Sequence, residues 1–290
     1  MALASSEIAP VVQRHWLGEA TRRHLTLMIG VLLLLAMVAM ALLAPYLGTV
    51  DPVAVAPVKR LRPPSELYWF GTDSYGRDVY SRTLYGARVS LTVGLLVAIF
   101  GTALGLAIGL VTGFVRLLDF VVMRVMDALM SVPPVLLAIA LMALTKASLG
   151  NVVFAITITE VPRVARLVRG VVLSLREQPF VEAAVAAGTG FWRTLLRHIL
   201  PNTIAPLLVQ TTYLCASAMI TEAVLSFIGA GTSPEIPSWG NMIASSRLYL
   251  ARAPWTIFCP GIALALVVLA VNLVGDGLRD RLDPRLARRM

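Results

Sequence analysis

Six apolar runs of about 20 residues or more, separated by short polar segments, restrict this 290-residue chain to one kind of architecture. Inside hydrocarbon each backbone N–H and C=O must be bonded within its own segment, so such runs cross a bilayer as helices. At about 1.5 Å of rise per residue, each run spans a core about 30 Å thick. The runs are Leu25 to Ala44, Val89 to Val115, Phe120 to Leu144, Asn151 to about Gly170, Thr203 to Ile228 and Ile257 to Leu278. The expected fold is an all-α polytopic membrane protein with six transmembrane helices. Charged residues make up only 14% of the chain, too few for a soluble domain of this length. The first run follows a basic start and contains Ala39-Met40-Ala41, which looks like a signal cleavage site. It exceeds the usual signal core of about 7–15 residues, so it is assigned as a span.

The net charge is +9. A nucleic-acid binder would gather its cations with aromatics on one face. Here they occupy the short segments between apolar runs, which suits membrane topology and anionic lipid. Placing the N-terminus in the cytoplasm puts Arg14, Arg22, Arg23, Arg116 and Arg124 inside, with the cations between Arg163 and Arg197. It also puts Arg279, Arg281, Arg285, Arg288 and Arg289 inside, a tail that resists translocation. The bias is incomplete, because the first outer loop holds Lys59, Arg60, Arg62, Arg77, Arg82 and Arg88. The expected organisation is a cytoplasmic segment 1–24, a first span 25–44 and an extracytoplasmic loop 45–88. A five-helix core 89–278 follows, with a cytoplasmic segment 176–202 inside it, and then a cytoplasmic basic tail 279–290. Pro52, Pro57, Pro63 and Pro64 make the outer loop a folded or meandering cap.

The polar segment 176–202 has its own pattern. Pro179 can open a helix, because its missing N–H is not needed at the first helical position. Phe180 to Ala187 is a short run of small and apolar residues with Glu182 near its start, where negative charge is favoured. Gly188 and Gly190 break it by supplying left-handed backbone. A second helix, Phe191 to Leu200, runs to Pro201. Such a hairpin is either a knob facing the aqueous side or a helix lying on the membrane surface.

Each ionisable group inside a span costs about 2.5–3.5 kcal/mol on insertion scales and therefore needs a reason. Asp127 follows Arg124 by three residues and is expected to pair with it on one helix face. Pro133 and Pro134 should kink that span. Glu160 precedes a ladder of Arg163, Arg166 and Arg169, so it either pairs with Arg163 or faces a cavity. Glu222 either bonds between helices or lines a pathway. Gly101, Gly105 and Gly109 form a stripe for close helix packing. Asp73, Arg77, Asp78 and Arg82 are expected to pair with each other and fold the outer loop.

Several chemistries are excluded. Cys215 and Cys259 form no CxxC pair. The histidines, His15, His24 and His198, all lie outside the spans, and no HExxH occurs, which leaves no metal or nucleophile–base cluster for an intramembrane enzyme. A phosphate-binding P-loop needs Gly-Lys-Ser/Thr, but Lys59 follows Val58 and Lys146 follows Thr145. The chain cannot hydrolyse ATP by that route.

EAAVAAGTGFWRTLLRHILPN, with Glu182, Ala183, Ala184, Gly188, Leu200 and Pro201, resembles the EAA loop of bacterial ABC importer permeases. FGTDSYGRDVYSRTLYGARVSLTVG (Phe70 to Gly94), LSFIGAG (Leu225 to Gly231), PSWGNMI (Pro237 to Ile243) and NLVGDGLRDRLDPR (Asn272 to Arg285) are similar to the C-type subunit of dipeptide, oligopeptide and nickel importers. The resemblance implies a type I importer permease and a pathway shared with a second, B-type permease. It implies two ATPase subunits that bind ATP and Mg, an external binding protein, and no cofactor in this chain. Phe180, Glu182, Ala183, Ala184, Ala187 and Gly188 would then couple to an ATPase. Asp127, Glu160 and Glu222 are candidates for the pathway of a peptide or similar small solute, with Glu160 able to meet a peptide's amino group. The alternative is an ion-gradient-driven secondary carrier, a class that often has inverted repeats; none is visible here.

Overall fold

A computed structural model describes residues 13–282, with side chains from Leu25 onward. Expectations that fall on residues 1–12 and 283–290, the tail residues Arg285, Arg288 and Arg289 among them, lie outside the described residues. Regular structure is helical throughout these residues, apart from an isolated bridge between Thr72 and Asp78. The elements are α1 (Gln13–Leu43), α2 (Val79–Phe114), α3 (Arg116–Ser131), α4 (Pro134–Ala143), α5 (Leu149–Arg176), α6 (Pro179–Ala186), α7 (Phe191–Thr194), α8 (Leu200–Ile228), α9 (Trp239–Ser246) and α10 (Trp255–Leu282).

Among the described residues, four helical stretches are long and apolar enough to cross a membrane: Leu25–Tyr46, Val79–Phe114, Phe191–Ile228 and Trp255–Leu282. The expected third span, Phe120 to Leu144, is not one straight helix. α3 and α4 meet at a 91° bend and make a fifth span only if counted together. The cause is Pro133-Pro134, which holds Val132 and Pro133 in extended backbone (ψ 132° and 130°). α5, the expected fourth span, has the length but carries Glu160, Arg163, Arg166 and Arg169. α2 begins at Val79 rather than Val89, because Asp78 caps it by accepting from the Ser81 backbone N–H at 2.8 Å. The irregular outer loop therefore ends at Asp78, short of the expected Arg88.

Glycines set the closest helix contacts. On α2, a Cβ at Gly105 would sit 2.5 Å from Val164 Cβ, and one at Gly109 would sit 2.6 Å from the Ala165 carbonyl oxygen. Gly101 faces Leu214 of α8 in the same way, at 2.9 Å. The stripe thus lets α2 lie directly on α5 and α8. α1 packs on α10, with Gly30 against Leu273 and Gly277 against Leu27. The outward surfaces carry exposed Leu32, Leu35, Leu95, Ile99, Ile262 and Leu269, as a surface facing hydrocarbon requires.

The outer loop is folded by its charges, as expected, but Asp78 has a different task. Arg77 Nε donates to Asp73 Oδ2 at 2.7 Å, Arg82 lies 3.8 Å from the same oxygen, and Asp78 serves as the α2 cap. Arg82 Nη1 also donates to the Pro52 carbonyl at 2.8 Å, which ties the loop to α2.

Gly109→Val should destabilise the chain by about 1–3 kcal/mol, because the added side chain meets backbone that cannot yield. Gly170→Ala, where a Cβ meets nothing within 4 Å, should be neutral or stabilising. Apparent unfolding temperatures of the purified chain in detergent check both, with only the valine variant falling.

Candidate functional site

The hairpin between α5 and α8 starts at α6, with Pro179 at its first position and Glu182 in its first turn. Gly188 ends it at φ +80°, with Thr189 N–H donating to the Ala184 carbonyl at 3.1 Å and Gly188 N–H to the Val185 carbonyl at 2.9 Å. This pair of bonds is a Schellman cap, which closes the last carbonyls of the helix around a left-handed glycine. Gly190 departs from expectation. Its φ of −66° is ordinary, and it forms the N-cap of α7. The expected helix from Phe191 to Leu200 also does not stop at Pro201. α7 passes through a π-turn, Leu195–Ile199, and continues into α8. Leu200 N–H reaches back to the Leu195 carbonyl, and this wider turn accommodates the N–H that Pro201 lacks.

Only Val181 of α6 is buried. Phe180, Glu182, Ala183, Ala187 and Gly188 are exposed and Ala184 is half-buried. Among the described residues Glu182 has no ion-pair partner. The hairpin is held from beneath. Phe191 stacks edge-on against Phe114 of α2 at 5.0 Å, and Arg176 Nη1 donates to the Gly113 carbonyl at 3.2 Å. The result is a small, firmly seated helix whose apolar and alanine face is exposed.

The charges of α3 and α5 form a row. Arg169 grips Asp119 through both carboxylate oxygens, with Nη2 to Oδ2 at 2.8 Å. Arg166 Nη2 bonds Asp127 Oδ1 at 2.5 Å. The expected Arg124–Asp127 pair is therefore replaced by a bond between helices, and Arg124 lies over the Phe120 ring instead. Between the two acidic contacts, Met123 and Met126 of α3 pack on Val161 and Ala165 of α5. Glu160 pairs with Arg163 at 3.2 Å, as expected, and accepts from Ser217 of α8 at 3.3 Å. The side chains of Arg166 and Asp127 are 49% and 55% exposed, so this pair does not belong against hydrocarbon. Asp119 and Ser217 carried no local sequence signal, because both act across helices.

Glu222 is fully buried and accepts from Ser226 at 2.8 Å. Around it the LSFIGAG and PSWGNMI segments meet. Gly229 (φ +89°) ends α8, a Cβ at Gly240 would lie 2.7 Å from Ala223 Cα, and the buried Trp239 donates to the Thr83 carbonyl at 3.0 Å. These two motifs thus lock α9 onto α8 and α2.

A hairpin of this form between membrane helices coincides with the region matched by the model for the binding-protein-dependent transport system inner membrane component, over residues 101–288. The chain belongs to that family. It is a permease component of an ABC importer. A probable peptide ABC transporter permease protein of Sinorhizobium fredii is 56% identical, with 100% of both chains covered. A dipeptide transport system permease protein of Alkalihalophilus pseudofirmus is 41% identical over 89% of this chain and 85% of that one. A chain in an inward-facing structure of the MetNI methionine ABC transporter shares the fold. Its TM-score is 0.56 at 18% identity, covering 72% of this permease and 95% of that chain.

A double-mutant cycle on Asp127→Asn and Arg166→Gln should give a coupling of about 0.2–1 kcal/mol, because both groups reach solvent. The same cycle on Asp119 and Arg169 should give more, since that contact is two-pronged and less exposed. Unfolding temperatures of the single and double variants measure both.

Proposed function

We propose that this permease is one of two different membrane subunits of a bacterial peptide importer, with six spans and both termini in the cytoplasm. The carrying observation is α6: a short helix that buries only Val181, is ended by the left-handed Gly188, and exposes a small-residue face. Relatives named for peptide and dipeptide transport support the cargo class. In this reading Phe180, Glu182, Ala183, Ala184, Ala187 and Gly188 seat in a groove of a cytoplasmic ATPase subunit. Two such ATPases bind ATP and Mg, and an extracytoplasmic binding protein delivers the peptide to the folded outer loop.

The work of this chain is mechanical. Closure of the ATPase pair on ATP draws α6 toward its counterpart on the B-type subunit. The helices rooted in the hairpin tilt, and the cavity between the two permeases opens outward. Hydrolysis resets it. The half-exposed face of α3 and α5 bearing Asp127 and Arg166, with Glu160 behind it, lines that cavity. Glu222, buried behind α8, braces the wall from the rear. An ion-gradient carrier would give α6 no partner.

Gly188→Asp places a side chain where φ is +80°, and a charge where the partner docks. The variant should reach the membrane at normal levels while ATP-dependent peptide uptake is lost. Ala184→Cys should crosslink to an ATPase subunit in the assembled importer. Normal ATP-dependent uptake by Gly188→Asp, or an Ala184→Cys that never traps an ATPase, refutes the assignment.

A further inference from the structure

A cavity of about 490 Å³ lies at the hairpin end of the junction between α5, α8 and α10. Its apolar walls include Leu167, Pro206 and Val209, and its polar groups are Asn202, Gln210 and Arg279. The Gln210 amide nitrogen has no hydrogen-bond partner among the described residues. Arg279 is exposed and pairs with no acid among them. A cation and an unsatisfied amide donor beside apolar walls suit an anionic end group that carries short apolar side chains.

The cavity does not stand alone. Asn202, Pro206, Gln210, Tyr213 and Ser217 follow one another at helical spacing along one face of α8. Further along that face, Arg163 lies over the Tyr213 ring at 5.7 Å and Ser217 bonds Glu160 at 3.3 Å. From Asn202 to Ser217 this polar seam extends about 22 Å at the rise of an α-helix. A helix face that met lipid tails would not carry such groups at mid-span, so the seam turns away from lipid, toward α5 and the cavity.

We propose that this cavity is a station for the C-terminal carboxylate of a peptide leaving the pathway on the hairpin side. Arg279 holds the carboxylate through its two-pronged guanidinium, Gln210 donates a further hydrogen bond, and the Leu167, Pro206 and Val209 walls take the terminal side chain. Glu160 and Arg163 stand farther along the seam, toward the interior of the bundle. The proposal rests on the peptide-importer function given above and adds a location and a recognised group.

The test is accessibility of a thiol in the complete importer in vesicles. Val209→Cys, made with Cys215→Ala and Cys259→Ala, is labelled with a small water-soluble maleimide from the hairpin side. Millimolar alanylalanine should slow labelling several-fold, and its C-terminal amide should not. Arg279→Gln should abolish the protection, and Arg279→Lys should keep part of it. Four outcomes overturn the station: a thiol that never labels, equal protection by the amide, protection that survives Arg279→Gln, or labelling that follows the phosphatidylglycerol content of the vesicle rather than peptide. The last would assign the cavity to a lipid headgroup. ATP-dependent dipeptide uptake in the same vesicles separates the two levels. Import without protection removes the station alone, whereas an unaltered importer that takes up no dipeptide removes the parent function.

Discussion

The contact between α2 and α5 fixes where everything else lies. Helices in lipid gain nothing by hiding apolar surface from each other, so they associate by close packing. Gly105, Gly109 and Gly113 let the α2 backbone come down onto Val164, Val168 and Val172. Those valines occupy one face of α5, and the arginines at 166 and 169 must then point elsewhere. They meet Asp119 and Asp127 of α3. The packing stripe on one side of α5 therefore decides the charge row on the other. It also holds the end of α5 from which the hairpin departs.

Much of this was legible in the chain, and the limits have physical causes. Apolar length located α1, α2, α8 and α10, because hydrocarbon tolerates little else. Gly188 was legible because one residue, at one backbone angle, ends α6. Its neighbour Gly190 was not, since a glycine can also adopt the extended backbone of an N-cap, and sequence alone does not choose. Asp127 was assigned to Arg124 because spacing along a single helix is visible in a sequence. Its true partner, Arg166, sits on a different helix and becomes near only after α3 has folded back at α2's end. The start of α2 moved for a similar reason: Asp78 in a polar stretch is an excellent cap, but the apolar pattern strengthens only later.

The double proline marked a kink at the right place and left its size open. A 91° bend separates α3 from α4 because two consecutive residues, Val132 and Pro133, are extended. α3 then lies along α5 as a charged and methionine-lined arm, with α4 turned sharply away from it. The Glu160 environment shows the same division. Its pairing with Arg163 follows from local spacing, whereas its bond to Ser217 depends on how α5 crosses α8.

Phe191–Ile228 is one continuous helical run of 38 residues, carrying the π-turn at Leu195–Ile199 and Pro206 near its hairpin end. At about 1.5 Å each it is close to 57 Å long, more than the apolar layer alone requires. One tip is rooted beside Gly190 in the hairpin, and the other is clamped through Ala223 and Ser226 to Gly240, in the segment that carries Trp239. Beyond Pro206 the run has no further proline or π-turn up to Ile228, so that stretch has no built-in point of bending. The hairpin and the far clamp, at opposite mouths of the bundle, thus share a single piece of backbone.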